Sequence, residues 1–249
     1  GKWGRGMFLA VTPEWQVLGD TILAGVAAPQ RLALVVVRAG DTGPEGFVHR
    51  GTEPIYPCSL VKTFHLVHAL SALEESRISA HGELDRAMRD MIRWSSNTAT
   101  NYVIDLVTGT TGDTLLDGAE YLDWMSKRER LNRFFWRMGW PDWEGCRIAQ
   151  KLMDDTRYGR EARFAAEGAG NLNRLTALAA ARCPMPNSAC GRNPRCCGCF
   201  AAMRTPFTAP EPWPKPCAFP LMNCAMNTRR KSLAMKPPIT SKDWRATTC

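Results

Sequence analysis

At Arg182 the chain changes character, and that break constrains its fold more than any other feature. Up to Arg182, apolar residues recur at the periods of strands and helices; beyond it no such run is longer than a few residues. Eleven of the 17 prolines and eight of the ten cysteines lie in residues 183–249, together with ten basic residues and only Glu211 and Asp243 as acids. With 45% hydrophobic and 22% charged residues, the 249-residue chain has enough apolar material for a real core. The reading is therefore a folded unit over 1–182 and a Cys/Pro-rich basic tail over 183–249 that is either poorly ordered or out of frame.

The second alternative has a chemical basis. In GC-rich DNA the leucine codon CTG, read one base late before C, gives TGC, a cysteine codon. Arg195-Cys196-Cys197-Gly198-Cys199-Phe200 written CGA-TGC-TGC-GGC-TGC-TTC and shifted back gives Met-Leu-Arg-Leu-Leu, an ordinary helix fragment. A changed frame explains the cysteines, the prolines and the missing acids together, and the coding DNA tests it.

The net charge of +8 suggests nucleic acid only until it is mapped. Residues 1–182 carry 22 basic and 22 acidic residues, so the excess sits in the tail, where no basic helix with a reading face is visible. No nucleic-acid partner is expected. The cysteines suggest neither a disulfide scaffold, which is usually shorter, nor zinc, because Cys196-Cys197-Gly198-Cys199 has no second Cys pair to match it. No metal and no organic cofactor are expected. No run of about 18 apolar residues predicts a membrane span. Gly1 to Phe8 lacks the pattern of a signal peptide, so the compartment cannot be read.

Within 1–182 the patterning gives an order of elements. Thr12 caps, and Pro13 opens, a helix over 13–28 whose stripe is Trp15, Leu18, Ile22 and Val26. Leu32 to Val37 reads as a strand covered on both faces. Gly40 to Gly46 reads as a turn, and Phe47 to Arg50 as an antiparallel return strand. Helices follow over about 59–75, with Leu60, Phe64, Val67, Leu70 and Leu73 inward, and near 83–93, 97–107 and 117–138. The last, over 171–182, turns Leu175, Leu178 and Ala179 inward. No internal repeat is present.

The chemistry centres on Pro57-Cys58-Ser59-Leu60-Val61-Lys62-Thr63. Ser59 at the start of a helix, with Lys62 three residues on, places a hydroxyl and an amine on one face. A serine hydroxyl is a weak nucleophile and needs a base beside it. Lys62 serves only if its neutral form is accessible, which partial burial favours. The helix N-terminus offers N–H groups to developing negative charge. The bland alternative is a capping serine with an exposed lysine.

A second element stands about 35 residues on: Trp94-Ser95-Ser96-Asn97-Thr98-Ala99-Thr100-Asn101-Tyr102. Here the chain resembles the class A serine β-lactamases and their penicillin-binding relatives, whose signature runs S-x-x-K, then S-D-N or S-x-N, then K-T-G. Ser59 to Lys62 matches the first element, and Ser95-Ser96-Asn97 matches the relaxed second one. The resemblance extends over about 14–182, including Arg130 to Phe135, Gly139-Trp140-Pro141, Tyr158 to Glu161 and Asn171 to Thr176. These pieces suggest a less studied branch rather than the familiar antibiotic-degrading enzymes.

The resemblance implies an α+β (α/β) fold of the β-lactamase and DD-peptidase kind: a mainly antiparallel sheet flanked by helices, with an all-helical lobe over about 60–182. It implies acyl transfer, with Ser59 as nucleophile, Lys62 as base, Ser95 relaying a proton to the leaving nitrogen and Asn97 binding the substrate's amide side chain. The substrate is then a small-molecule β-lactam or a related amide. The enzyme is expected to be a monomer that is periplasmic or secreted. The alternative for Ser95 and Ser96 is a helix N-cap.

Two departures bear on activity. Class A enzymes activate the deacylating water with a loop Glu; here Asp142-Trp143-Glu144-Gly145-Cys146 lacks that context, so Glu144 reads as an exposed loop acid and turnover as slow. K-T-G is absent, and Lys231-Ser232-Leu233 lacks its glycine. The family's inner strand donates one oxyanion N–H, and losing one such donor costs on the order of 10²–10³ in rate. The rivals are therefore an inactive pseudoenzyme or frame-damaged product, a penicillin-binding peptidase and a glutaminase-like amidohydrolase. His65 and His68 lack HExxH spacing and read as core or surface residues. Trp136, Trp140 and Trp143 read as core or loop packing.

Overall fold

The three valines that signal a strand lie in β1 (Leu34–Gly40), which pairs antiparallel with β2 (Gly43–His49) in register Val36 to Phe47 and Gly40 to Gly43. They belong to a computed structural model that describes residues 9–153, 156–167 and 169–183. The hairpin is tighter than its composition suggests, since Gly43 to Gly46 are strand residues and only Asp41 and Thr42 turn. Gly46 is required by contact rather than by a turn: a Cβ there would lie 1.9 Å from the Val36 carbonyl oxygen. Leu9 and Ala10 lead in beside β2, where Ala10 N donates to Pro44 O at 2.9 Å and Gly46 N to Ala10 O at 2.8 Å.

Helices cover both faces of this hairpin. Helix α1 (Pro13–Ala24) opens as expected, with Thr12 Oγ1 accepting from Trp15 N, but stops four residues short of position 28. Its expected stripe is wrong. Leu18 and Ile22 are exposed, and Gly19 instead lies against Phe47, where a Cβ would come within 2.1 Å of the ring. The missing side chain lets the helix approach the sheet more closely than any leucine would. On the other face, Val35, Val37 and Val48 meet Leu178 and Leu9. The valines are half-buried rather than enclosed, because two strands are too narrow to shield their residues from the sides.

Past residue 60 the described chain is helical apart from its connections and isolated bridges. Helix α2 (Val61–Glu74) runs through the core and is buried on nearly every side, so its apolar residues do not form a single stripe. Phe64, Val67 and Leu70 are buried as expected, while Leu60 precedes the helix and is exposed. Around it pack α3 (Gly82–Arg93), α4 (Asn97–Thr108) and α6 (Arg130–Trp136). Phe64 meets Phe135 edge-on at 5.1 Å and Trp143 at 5.4 Å. Of the three tryptophans read as packing, Trp143 is in the core, Trp140 leans on it and Trp136 is exposed.

The helix expected over 117–138 is two helices, α5 (Gly118–Arg128) and α6, interrupted at Glu129. Polar contacts fix this break. Arg128 is fully buried and reaches Glu161 of α7 (Gly159–Ala166), while Glu129 Oε2 accepts from Asn132 Nδ2 at 2.8 Å. Helix α7 was not anticipated from periodicity. Helix α8 (Ala177–Arg182) is half the expected length: Arg174 and Leu175 bridge to Arg147 and Ile55, and Thr176 Oγ1 caps the helix by accepting from Ala179 N at 3.0 Å. Leu175, Leu178 and Ala179 are buried as expected.

The described chain is thus mixed α/β, with a two-stranded antiparallel sheet where a larger one was expected. Among the described residues no helix is long and apolar enough to cross a membrane. Cys58 is an exposed free thiol, and Cys146 and Cys183 are buried free thiols. Gly1 to Phe8, the rest of the cysteine-rich tail and Lys231-Ser232-Leu233 lie outside the described residues.

Candidate active site

The segment before Ser59 is anchored at two points. Ile55 exchanges backbone hydrogen bonds with Leu175, at 3.0 and 2.9 Å, and Pro57 O accepts from Leu60 N at 3.1 Å. Cys58 then takes φ 48°, a left-handed conformation that costs an L residue about 1–2 kcal/mol. This sharp turn starts a 3-10 turn over Cys58–Leu60 that continues directly into α2. Ser59 in this turn and Lys62 in α2 are three residues apart, a spacing that puts them on one face. Ser59 is exposed, and α2 has no side-chain cap.

Lys62 is 2% exposed, which rules out the capping serine with a solvent-facing lysine. Its Nζ donates to Asn97 Oδ1 at 2.7 Å, to Ser95 Oγ at 3.0 Å and to the Ser95 carbonyl oxygen. The three residues meet because α2 and α4 pack together and the link from α3 to α4 passes over the amine. That link is shaped by adjacent serines with different tasks. Ser96 is the N-cap of α4, its Oγ accepting from Ala99 N at 3.1 Å. Ser95, at φ 53°, turns left-handed and presents both its hydroxyl and its carbonyl to Lys62. The N-cap alternative therefore holds for Ser96 and not for Ser95.

Four described non-glycine residues have positive φ, and two of them, Cys58 and Ser95, flank the site. Strain of this kind persists where the surroundings over-determine the backbone, and it concentrates where side chains are held for function.

Side-chain amides brace the site from outside. One turn beyond Asn97, Asn101 clamps the backbone of Leu152, with Nδ2 donating at 2.7 Å and Oδ1 accepting at 3.0 Å. Asn173 and Gln150 clamp each other's backbone in the same way, and Asn132 Oδ1 accepts from Ile148 N at 2.7 Å. Next to these clamps, Arg128 grips Glu161 with two nitrogens, at 3.0 and 2.6 Å, and Lys151 holds Asp105 at 2.7 Å. These residues were missed in the sequence, because nothing in a lone Asn or Arg tells which backbone it will hold.

Glu144 is an exposed residue after the short turn Pro141–Trp143. His65 and His68 are core residues, and neither ring nitrogen of His65 has a hydrogen-bond partner among the described residues. Among those residues no cluster of three or more His, Cys, Asp or Glu is gathered as a metal requires. Chemically, the arrangement presents an accessible alcohol one turn from a sheltered amine, with a second alcohol and an amide on that amine.

Compared with protein-family models, with curated proteins and with solved structures, the chain shows no match.

Proposed function

We propose that this chain is a serine hydrolase that cleaves amide bonds through an acyl-enzyme, with a β-lactam as the substrate that best suits its residues. One observation carries the reading: Lys62 is withdrawn from solvent one turn below an exposed Ser59 and is shared by Ser95 and Asn97 from another part of the chain. Lysines are seldom buried this deeply in a folded chain.

In this mechanism Lys62 first gives up one of the three protons it donates; the neutral amine then takes the proton from Ser59 Oγ as the oxygen attacks the carbonyl carbon. Lys62 returns that proton through Ser95 Oγ to the leaving nitrogen, and the C–N bond breaks. The sequence from Ser59 to Lys62 and from Ser95 to Asn97 resembles the first two signature elements of the class A β-lactamases, which supports this assignment. Water then hydrolyses the Ser59 ester.

The test is labelling with a fluorescent penicillin. Covalent labelling of the wild type that is lost in Ser59→Ala supports the reading; folded wild-type protein that takes no label sinks it.

A second reading is favoured by the exposed Glu144 and the missing K-T-G: a chain that acylates but deacylates slowly, or an inactive relative. Nitrocefin separates the cases. Steady turnover marks a β-lactamase, a single burst marks a slow binder or peptidase, and no reaction marks the inactive chain.

A further inference from the structure

A cavity of about 790 Å³ lies apart from the residues that the proposed reaction uses: none of Ser59, Lys62, Ser95 and Asn97 lines it. Its walls come from the far end of α2, the C-terminal half of α4 and helix α6. Its size falls within the range of about 300–1,000 Å³ typical of small-molecule sites.

The lining has two distinct parts. The apolar part is Ile78, Leu106, Val107, Phe134 and Met138. His68 belongs with it: the ring is 2% exposed, stacks on Phe134 at 4.4 Å and leaves Nδ1 without a hydrogen-bond partner among the described residues. The charged part is Arg77, Arg130, Arg133 and Arg137, against the single acid Glu75. Glu75 is taken by Arg77 at 2.7 Å. Arg130 and Arg133 each donate to a backbone carbonyl, Thr108 O at 3.4 Å and Ser126 O at 2.5 Å, which offsets no charge. Among the described residues none of Arg130, Arg133 and Arg137 has a carboxylate partner.

We propose that this cavity binds a small organic carboxylate, its apolar body against Phe134, Leu106 and Met138 and its head on Arg133 and Arg137. Guanidinium groups match a carboxylate in shape as well as charge. An apolar floor alone would accept neutral molecules, and arginines alone would accept any anion; the juxtaposition selects a molecule with both parts. The rim also decides among occupants. Residues 183–249 carry ten basic residues and two acids, a charge that does not complement it. A second copy would set one cationic rim against another.

The test is calorimetric titration of the full chain with 2-naphthoate, alongside neutral 2-naphthol and inorganic phosphate. The expected result is one site for 2-naphthoate, with 2-naphthol and phosphate each about 10-fold weaker or more. The Arg133→Glu/Arg137→Glu variant should lose at least about 10-fold in affinity. Arg89→Glu, an exposed change on α3 outside the cavity, and Ser59→Ala should bind as the wild type does, which separates this cavity from the proposed active site. If the double variant loses its near-UV circular dichroism, the single exposed change Arg137→Ser takes its place. Equal binding of 2-naphthol or of phosphate, loss of binding in Ser59→Ala, or indifference to the arginine changes overturns the proposal. So does a dimer in sedimentation that the arginine changes dissociate, since a second copy would then be the occupant.

Discussion

Lys62 and Asn97 meet at 2.7 Å, Nζ donating to Oδ1, although 35 positions separate them in the chain. The contact makes Lys62 a shared residue of two helices, and replacing it has two separable consequences. Lys62→Met removes the base, and the rate of fluorescent-penicillin acylation is expected to fall by about 10²–10⁴. It also takes that donor from the exposed Ser95 and the half-buried Asn97, at about 1 kcal/mol. Urea unfolding beside the acylation rate separates the two. A variant that acylates at the wild-type rate removes Lys62 from the mechanism.

Cys58 and Ser95 hold left-handed backbone without the freedom of glycine. Cys58→Gly relieves that conformation at an exposed side chain, so thermal unfolding should show stability rising by about 1 kcal/mol. Acylation should slow at the same time, because the turn that presents Ser59 becomes looser. If stability falls instead, the turn at Cys58 carries no strain.

Arg128 is fully buried and its charge is met by Glu161 through two hydrogen bonds. Glu161→Ala leaves that buried charge with the more distant Asp105, at 3.8 Å, and is expected to cost up to about 3–5 kcal/mol in chemical denaturation. Glu161→Gln keeps an acceptor but not the charge and should lie between it and the wild type. A loss below about 1 kcal/mol for the alanine variant would mean that the pair is solvated.

Acid should destabilise the protein through its two buried histidines. Burial, the largest cause for each, pushes His65 down to about 3 and His68 to about 4, from an ordinary 6.5. Positive charge on His68, Arg128 and Lys62 adds to the effect on His65, and that on Arg77 to the effect on His68. Below pH 6.5 the unfolded chain takes protons that the native rings refuse. Their contribution is therefore complete above that pH and is lost as pH falls toward 4 and then 3, at about 1.4 kcal/mol per pH unit for each ring. In His65→Leu the slope of stability between about pH 6 and pH 4.5 should drop by that amount, read from urea unfolding at several pH values. An unchanged slope would mean that His65 is already charged in the native protein.

Local chemistry determined the parts of this protein that the sequence revealed by itself. Thr12 and Pro13 start α1, the valine run makes β1, and the S-x-x-K spacing sets Ser59 above Lys62, because caps, alternation and helical turns act within a few residues. Packing decided the rest. Leu18 and Ile22 face solvent because Gly19, not they, allows α1 onto Phe47. The helix expected over 117–138 breaks at Glu129, next to an Arg128 that answers a carboxylate 33 residues away. Ser95 faces Lys62 while Ser96 caps α4, a division of labour between identical neighbours that only the path of the backbone over α2 could settle. Short-range periodicity carries no information about partners that distant, since burial and charge pairing depend on which surfaces meet once the chain has folded.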